Sequence, residues 1–175
     1  MKKLLVFAIA IFLLAGFTSK VMAQGVTTTA ATTASAKILQ AMTLTTGATQ
    51  LNFGTMTVPT TVATVVVPPT GTISKTGTIT LLSQIPIASP AAYTVTGDIN
   101  AAYSITVPLS DVVLSANSNA DHMNVNTFIT NKTLNKSALD GTGNDAFTVG
   151  ATLNLAASQA AGSYSGSFNV YVNYN

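Results

Sequence analysis

The chain has 175 residues, 47% of them hydrophobic and only 7% charged, with no cysteine, no tryptophan and one histidine. Every basic residue is a lysine and every acidic residue an aspartate. That inventory excludes a disulfide framework and a four-ligand Cys/His zinc site, and it removes the arginines that grip phosphate bidentately.

Lys2 and Lys3 precede an apolar run from Leu4 to Phe17, and Val21-Met22-Ala23 places a small residue before Gln24. This is the pattern of a secretory signal peptide, with residues 1–23 removed after Ala23. The apolar run is shorter than the ~20 residues a membrane-spanning helix needs, so a retained anchor is the weaker reading. The expected location is the periplasm, the cell surface or the extracellular space, with no membrane contact after cleavage. The mature chain sets Lys37, Lys75, Lys132 and Lys136 against Asp98, Asp111, Asp121, Asp140 and Asp145, which makes it slightly acidic. No basic patch for nucleic acid is expected. Its length suits one domain.

Residues 24–33 are Thr- and Ala-rich and read as a flexible leader; residues 34–175 read as the folded domain. Apolar positions then recur with period two. Ala34, Ala36, Ile38, Met42 and Leu44 share one parity, predicting a first strand over residues 34–45. Leu51 and Phe53 share a face before Gly54, and the β-branched run from Val62 to Val67 stops at Pro68-Pro69. A further strand is predicted over Thr78 to Leu82. Two near copies follow, Ala91-Ala92-Tyr93-Thr94-Val95-Thr96 and Ala101-Ala102-Tyr103-Ser104-Ile105-Thr106, separated by Gly97-Asp98-Ile99-Asn100. They predict a hairpin in which Tyr93 and Val95 pair with Tyr103, Ile105 and Val107.

Strands are also predicted over Asp111 to Ser115 and Val125 to Thr130, with Ala116 to Asn124 as a loop between them. Residues 131–146 read as a long exposed connection. Phe147 to Leu155 is the next strand. After a turn through Gly162, Tyr164, Gly166, Phe168, Val170, Val172 and Tyr174 alternate with polar positions and Tyr171, predicting one regular half-buried strand. About nine short strands without helical periodicity indicate an all-β, immunoglobulin-like β-sandwich.

No catalytic centre is expected, and no cofactor. His122 is the one histidine, and its neighbour Asp121 is adjacent in sequence, which fixes no useful pairing for a hydrolytic triad. Asp140, Thr142, Asn144 and Asp145 cluster oxygen donors around Gly141 and Gly143, a weak calcium candidate. No glutamate follows to bind a metal bidentately, so a tight turn is the preferred reading. An isopeptide cross-link would need a lysine, an Asn or Asp, and an aspartate in place of the usual glutamate.

Leu51-Asn52-Phe53-Gly54, Thr94-Val95-Thr96-Gly97, Val149-Gly150-Ala151-Thr152-Leu153 and Gly162-Ser163-Tyr164-Ser165-Gly166 together resemble the bacterial domain-of-unknown-function family 4402, over residues 34–175. The resemblance implies an exported β-rich protein similar to fimbrial subunits. The last strand also resembles that of chaperone–usher pilins, with Tyr174 penultimate and Gly162 fourteenth from the end. This second resemblance implies that Gly162, Tyr164, Phe168, Val170, Val172 and Tyr174 form a subunit interface. It also implies assembly by strand addition, with self-association or a periplasmic chaperone as the partner. The chain departs from those pilins in having no disulfide. In its leader, Val26, Thr28, Ala30 and Thr32 offer little bulk for apolar pockets. The terminal strand carries no Lys, Glu or Pro to blunt an open edge, which favours assembly. The expected function is a structural subunit of a surface fibre or coat. The alternative is a carbohydrate-binding or adhesion module, with Tyr93, Tyr103 or Tyr171 stacking on sugar rings.

Overall fold

A computed structural model describes residues 28–116 and 121–175. The expected signal peptide and the start of the expected leader lie outside the described residues, as does part of the loop expected after Ala116. Among the described residues no helix is long and apolar enough to cross a membrane.

The domain is an all-β antiparallel sandwich with its core between two sheets. Its strands in chain order are β1 (Thr43–Thr46), β2 (Thr55–Met56), β3 (Ala63–Val67), β4 (Ser74–Lys75), β5 (Leu81–Leu82), β6 (Ala91–Thr96) and β7 (Ala102–Thr106). They continue with β8 (Val112–Ala116), β9 (His122–Thr130), β10 (Ser137–Ala138), β11 (Asn144–Leu155), β12 (Tyr164–Ser165) and β13 (Tyr171–Tyr174). Several are two-residue fragments of longer extended segments, which is why the described strands outnumber the nine expected. The main sheet runs β1-β6-β11-β9-β8-β12; a second runs β10-β7-β13, and β2 pairs with β5 alone.

The organising element is β11. It starts at Asn144, three residues before the predicted boundary, and its middle is nearly all buried. One of its edges serves two partners in turn: residues 144–149 pair with β6, and residues 151–155 pair with β3. Pro68-Pro69 explains the handover, because β3 cannot continue past prolines that lack a ladder N–H, and β6 takes over the edge. Gly150 sits at that junction against the backbone of Val67 and Pro68, where a Cβ would have no room. On its other edge β11 pairs with β9, with a register shift between Gly150 and Thr152. The alternation Ala63, Val65, Val67 in β3 is fully buried on one face, as the β-branched run predicts.

The predicted hairpin between the two near copies does not form. The first copy, β6, pairs with β1 and β11 in the main sheet; the second, β7, pairs with β10 and β13 in the other. The connection is an arch that changes sheets. Its turn is held from outside: Gly97 N donates to Gly143 O, Asn100 N donates to Asp140 O, and Asn100 takes φ of 55°. Both tyrosines therefore point into the core, from different sheets. Tyr93 stacks on Phe147 at 5.2 Å between ring centroids, while Tyr103 is completely buried.

Four further boundaries differ. The first strand is only β1, since residues 34–42 form no ladder and pairing with β6 begins at Thr43. The strand expected over Thr78 to Leu82 is regular only at β5; Thr80 and Thr78 instead use Thr57 Oγ1 and Thr60 for part of their bonding. β9 begins at His122, inside the predicted loop, because it pairs with β8 from Ser115 onward. The connection over residues 131–146 dips into the second sheet as β10, burying Ser137 and Leu139.

The predicted terminal strand is also split. β12 pairs with β8 in the main sheet, β13 pairs with β7 in the second sheet, and residues 166–170 cross between them without regular pairing. The alternation survives the break, because a chain passing from one sheet to the other keeps one flank toward the core. Tyr164, Phe168, Val170, Val172 and Tyr174 are all half-buried against it.

Candidate functional site

The crossing of residues 166–170 opens one side of the sandwich. A groove of about 590 Å³ lies there between two walls, residues 50–59 and residues 159–168. Its floor includes Val125 and Leu153 from the main sheet, and Phe168 leans onto Phe128 with ring centroids 4.9 Å apart. The walls meet at one end, where Ser158 N donates to Pro59 O at 2.8 Å.

Each wall has one bonded and one free backbone edge among the described residues. The first is tied on its far side by reciprocal bonds between Asn52 and Ser89, by β2 pairing with β5, and by Thr57 N donating to Thr80 O. The second is tied on its far side by β12 pairing with β8. Residues 166–170 make no backbone hydrogen bond with any described residue. The two edges facing the groove carry unpaired N–H and C=O groups, which seek partners from another chain or from water. The chain runs in opposite directions along the two walls, so an inserted strand would be antiparallel to one and parallel to the other.

No lining residue is charged. The groove therefore offers no carboxylate, imidazole or ammonium; its chemistry is hydrogen bonding by backbone and by uncharged side chains such as Gln50, Asn52 and Ser165, together with apolar contact. Val58 at its edge is exposed, and Ile85, also in the lining, is 89% exposed, so apolar surface continues out of the groove onto its rim.

Of the residues expected at an interface, Gly162, Tyr164 and Phe168 line the groove, while Val170, Val172 and Tyr174 lie outside it. A Cβ at Gly162 would meet nothing closer than Tyr164 Cε2 at 3.9 Å, so the lack of a side chain there leaves room in the groove rather than relieving a clash. The Tyr164 hydroxyl donates to Ala160 O and accepts from Gln159 Nε2, folding the turn back on itself. Val172 pairs with Ile105 across β13 and β7. Tyr174 acts as a fastener instead, because its hydroxyl accepts from Asp98 N at 2.7 Å and donates to Gln40 O at 2.8 Å, tying the arch to the approach to β1. The ring passes so close to Gly97 that a Cβ there would collide with the Tyr174 hydroxyl. Sequence reasoning missed the entire first wall. Its signal was Leu51 and Phe53 on one face of a segment ended by Pro59, but only the tertiary structure sets it opposite Gly162.

The calcium candidate is closed on itself. Asp140 Oδ1 accepts from Thr142 N, Thr142 Oγ1 and Asn144 N at 2.7 to 2.9 Å, and these bonds hold its carboxyl below the usual carboxylate range. Asp145 points elsewhere. Its Oδ1 receives Lys132 Nζ at 2.7 Å and its Oδ2 receives the Tyr103 hydroxyl at 2.9 Å, linking the main sheet to the second. Burial, then the hydrogen bond and the negative charge of Asp145, push the Tyr103 phenol well above its ordinary range. Lys132 and Asp145 thus meet as an ion pair, with a tyrosine rather than a second carboxylic acid beside them. No group of three or more His, Cys, Asp or Glu side chains able to hold a metal occurs among the described residues. His122 lies exposed on β9. Of the candidate sugar-stacking tyrosines, Tyr93 and Tyr103 are buried and Tyr171 is exposed, so the three do not share a surface.

No curated protein and no solved structure matches the chain. The family described as a domain of unknown function (DUF4402) matches residues 42–174, from the approach to β1 to the hydroxyl-bearing Tyr174 that fastens it, and the chain belongs to that family.

Proposed function

We propose that this protein is an exported structural subunit of a cell-surface fibre or coat that assembles by accepting an extended strand into the groove between residues 50–59 and 159–168. The observation that carries this reading is the pair of free backbone edges facing each other across an uncharged apolar floor. A sandwich with both edges covered would leave no such opening, whereas a strand placed here gains ladder bonds on both sides and covers the half-buried row of Leu51, Leu114, Tyr164 and Phe168. The absence of charge on either wall removes the usual protection against edge-to-edge pairing. A periplasmic chaperone would occupy the same edges before assembly.

Sedimentation of the mature chain over a wide concentration range, with electron microscopy of the same samples, tests the reading. Oligomers or filaments that grow with concentration, or after release from a chaperone, are the expected result. A chain that stays monomeric at high concentration with and without a chaperone overturns it.

A further inference from the structure

Apolar surface is also exposed away from the floor of the groove. Among the described residues β2 and β5 form a two-stranded ribbon that pairs with no other strand, and the loop that follows carries Ile85 at 89% and Ile87 at 65% exposure. Leu82 at the end of β5 is exposed as well. Between Lys37 and Asp98 the sole charged residue is Lys75, and its Nζ donates to Ile79 O. Single exposed apolar side chains are ordinary, but an uncharged group of them marks a surface that another molecule covers.

The same ribbon carries a hole. A cavity of about 310 Å³ opens beside it, lined chiefly by Ile73, Leu81, Leu82, Ile87 and Ala88, with no charged group. It is separate from the strand groove, although Gly54 and Thr55 line both and the two openings adjoin. Ile85 stands outside the hole, on the rim of the groove. An open apolar hole and a bare isoleucine each leave apolar surface in water, and filling the one with the other removes both at once.

The knob and the hole are neighbours, since Ile85 is two residues from Ile87 in the lining. When a protrusion and a recess that accepts it sit side by side, a two-fold rotation that seats one copy's protrusion seats the other's as well, and the contact closes at two chains. A recess far from the protrusion would build an open array instead. We infer that this protein pairs with a second copy through a two-fold contact in which Ile85 of each chain enters the hole beside Ile87 of its partner. The lack of charge on both parts suits another copy of the same surface and excludes an ionic partner. This pairing does not rest on the strand-acceptor reading, because it uses a different opening and leaves the groove free to be filled. Within a fibre or coat it would join subunits side by side.

Sedimentation equilibrium of the mature chain and of Ile85→Asp and Ile87→Asp tests it. The parent is expected to form pairs, and each variant to dissociate at a concentration at least about tenfold higher, because an aspartate would be buried unpaired in the contact. Melting temperatures of dilute samples should stay close to the parent's, since both side chains are exposed in the single chain. Ile87 does not line the strand groove, so its effect reports on the hole alone. Larger species that persist in both variants while the pairs vanish support the inference and the strand-acceptor reading together. A parent that forms no pairs overturns the inference, as do pairs that survive both substitutions. Unpaired parent chains that bind phosphatidylcholine vesicles, with binding lost in both variants, overturn it too and assign the loop to a lipid surface.

Discussion

Asp145 is the residue on which the most depends. It sits on β11, accepts from Lys132 on one oxygen and from Tyr103 on the other, and so joins three elements through one carboxylate. Asp145→Ala removes the acceptor of a fully buried phenol hydroxyl and leaves it only the Ser137 side chain, a loss of about 1–3 kcal/mol. Lys132→Ala should cost less than about 1 kcal/mol, because the lysine end of the pair is partly exposed and screened, and the Asp145 carboxylate keeps the Tyr103 hydroxyl and Ala146 N as donors. Urea titration of the two variants checks the order; equal losses would contradict it. The same network sets a pH limit. The folded-state pKa values of Tyr103 and Tyr93 are raised, so the stability tied to them is complete below the ordinary phenol range and declines above it, as the unfolded chain ionises and the folded chain does not. Melting temperature should therefore fall above about pH 10, and less steeply in Tyr103→Phe. Asp140 behaves in the opposite sense. Its carboxyl is held low by three hydrogen bonds from its own turn, so those bonds persist above the ordinary carboxylate range and are lost only as pH drops through the depressed value. An NMR titration of Asp140 should give a midpoint below the ordinary carboxylate range, and added calcium should not shift it.

Among the elements, β11 fills the centre and the terminal segment closes the edge. Leu153→Ala in β11 removes a side chain packed between β3 and β9 and should cost about 2–5 kcal/mol, the usual range for a buried leucine with little room to relax. The terminal segment works differently, because its burial is only partial and its hold on the domain is by hydrogen bonds. Tyr174→Phe keeps the ring but deletes the bonds to Asp98 N and Gln40 O, for about 1 kcal/mol. Amide exchange should then quicken selectively at Asp98, which loses its acceptor, while the amides of β11 stay protected.

At the scale of the whole domain, the sandwich has an open flank between residues 50–59 and 159–168, and the proposed role in a fibre or coat rests on that flank being open. Period-two patterning, the absence of helical periodicity and the proline stop after Val67 made the all-β class readable from the chain alone, because alternation along a strand is a local property that any half-buried sheet imposes. The same logic located most of β3, β6, β7, β8 and β11, and the inward flank of the terminal segment. Partnership was not readable. The two near copies around Tyr93 and Tyr103 carry the local signature of a hairpin, and the signals that send them to different sheets, Asn144 of β11 opposite Thr96 and Tyr174 of β13 opposite Tyr103, lie far away in the sequence. The groove is a still more distant product. Residues 50–59 and 159–168 are about a hundred positions apart, and nothing in either segment reveals that the other faces it. Composition and alternation are written residue by residue, so the chain by itself determined its class, its buried flanks and the uncharged character of residues 24–36. Strand order and free edges depend on long-range pairing, in which many partners of equal local merit compete, and only the packed tertiary structure decided among them.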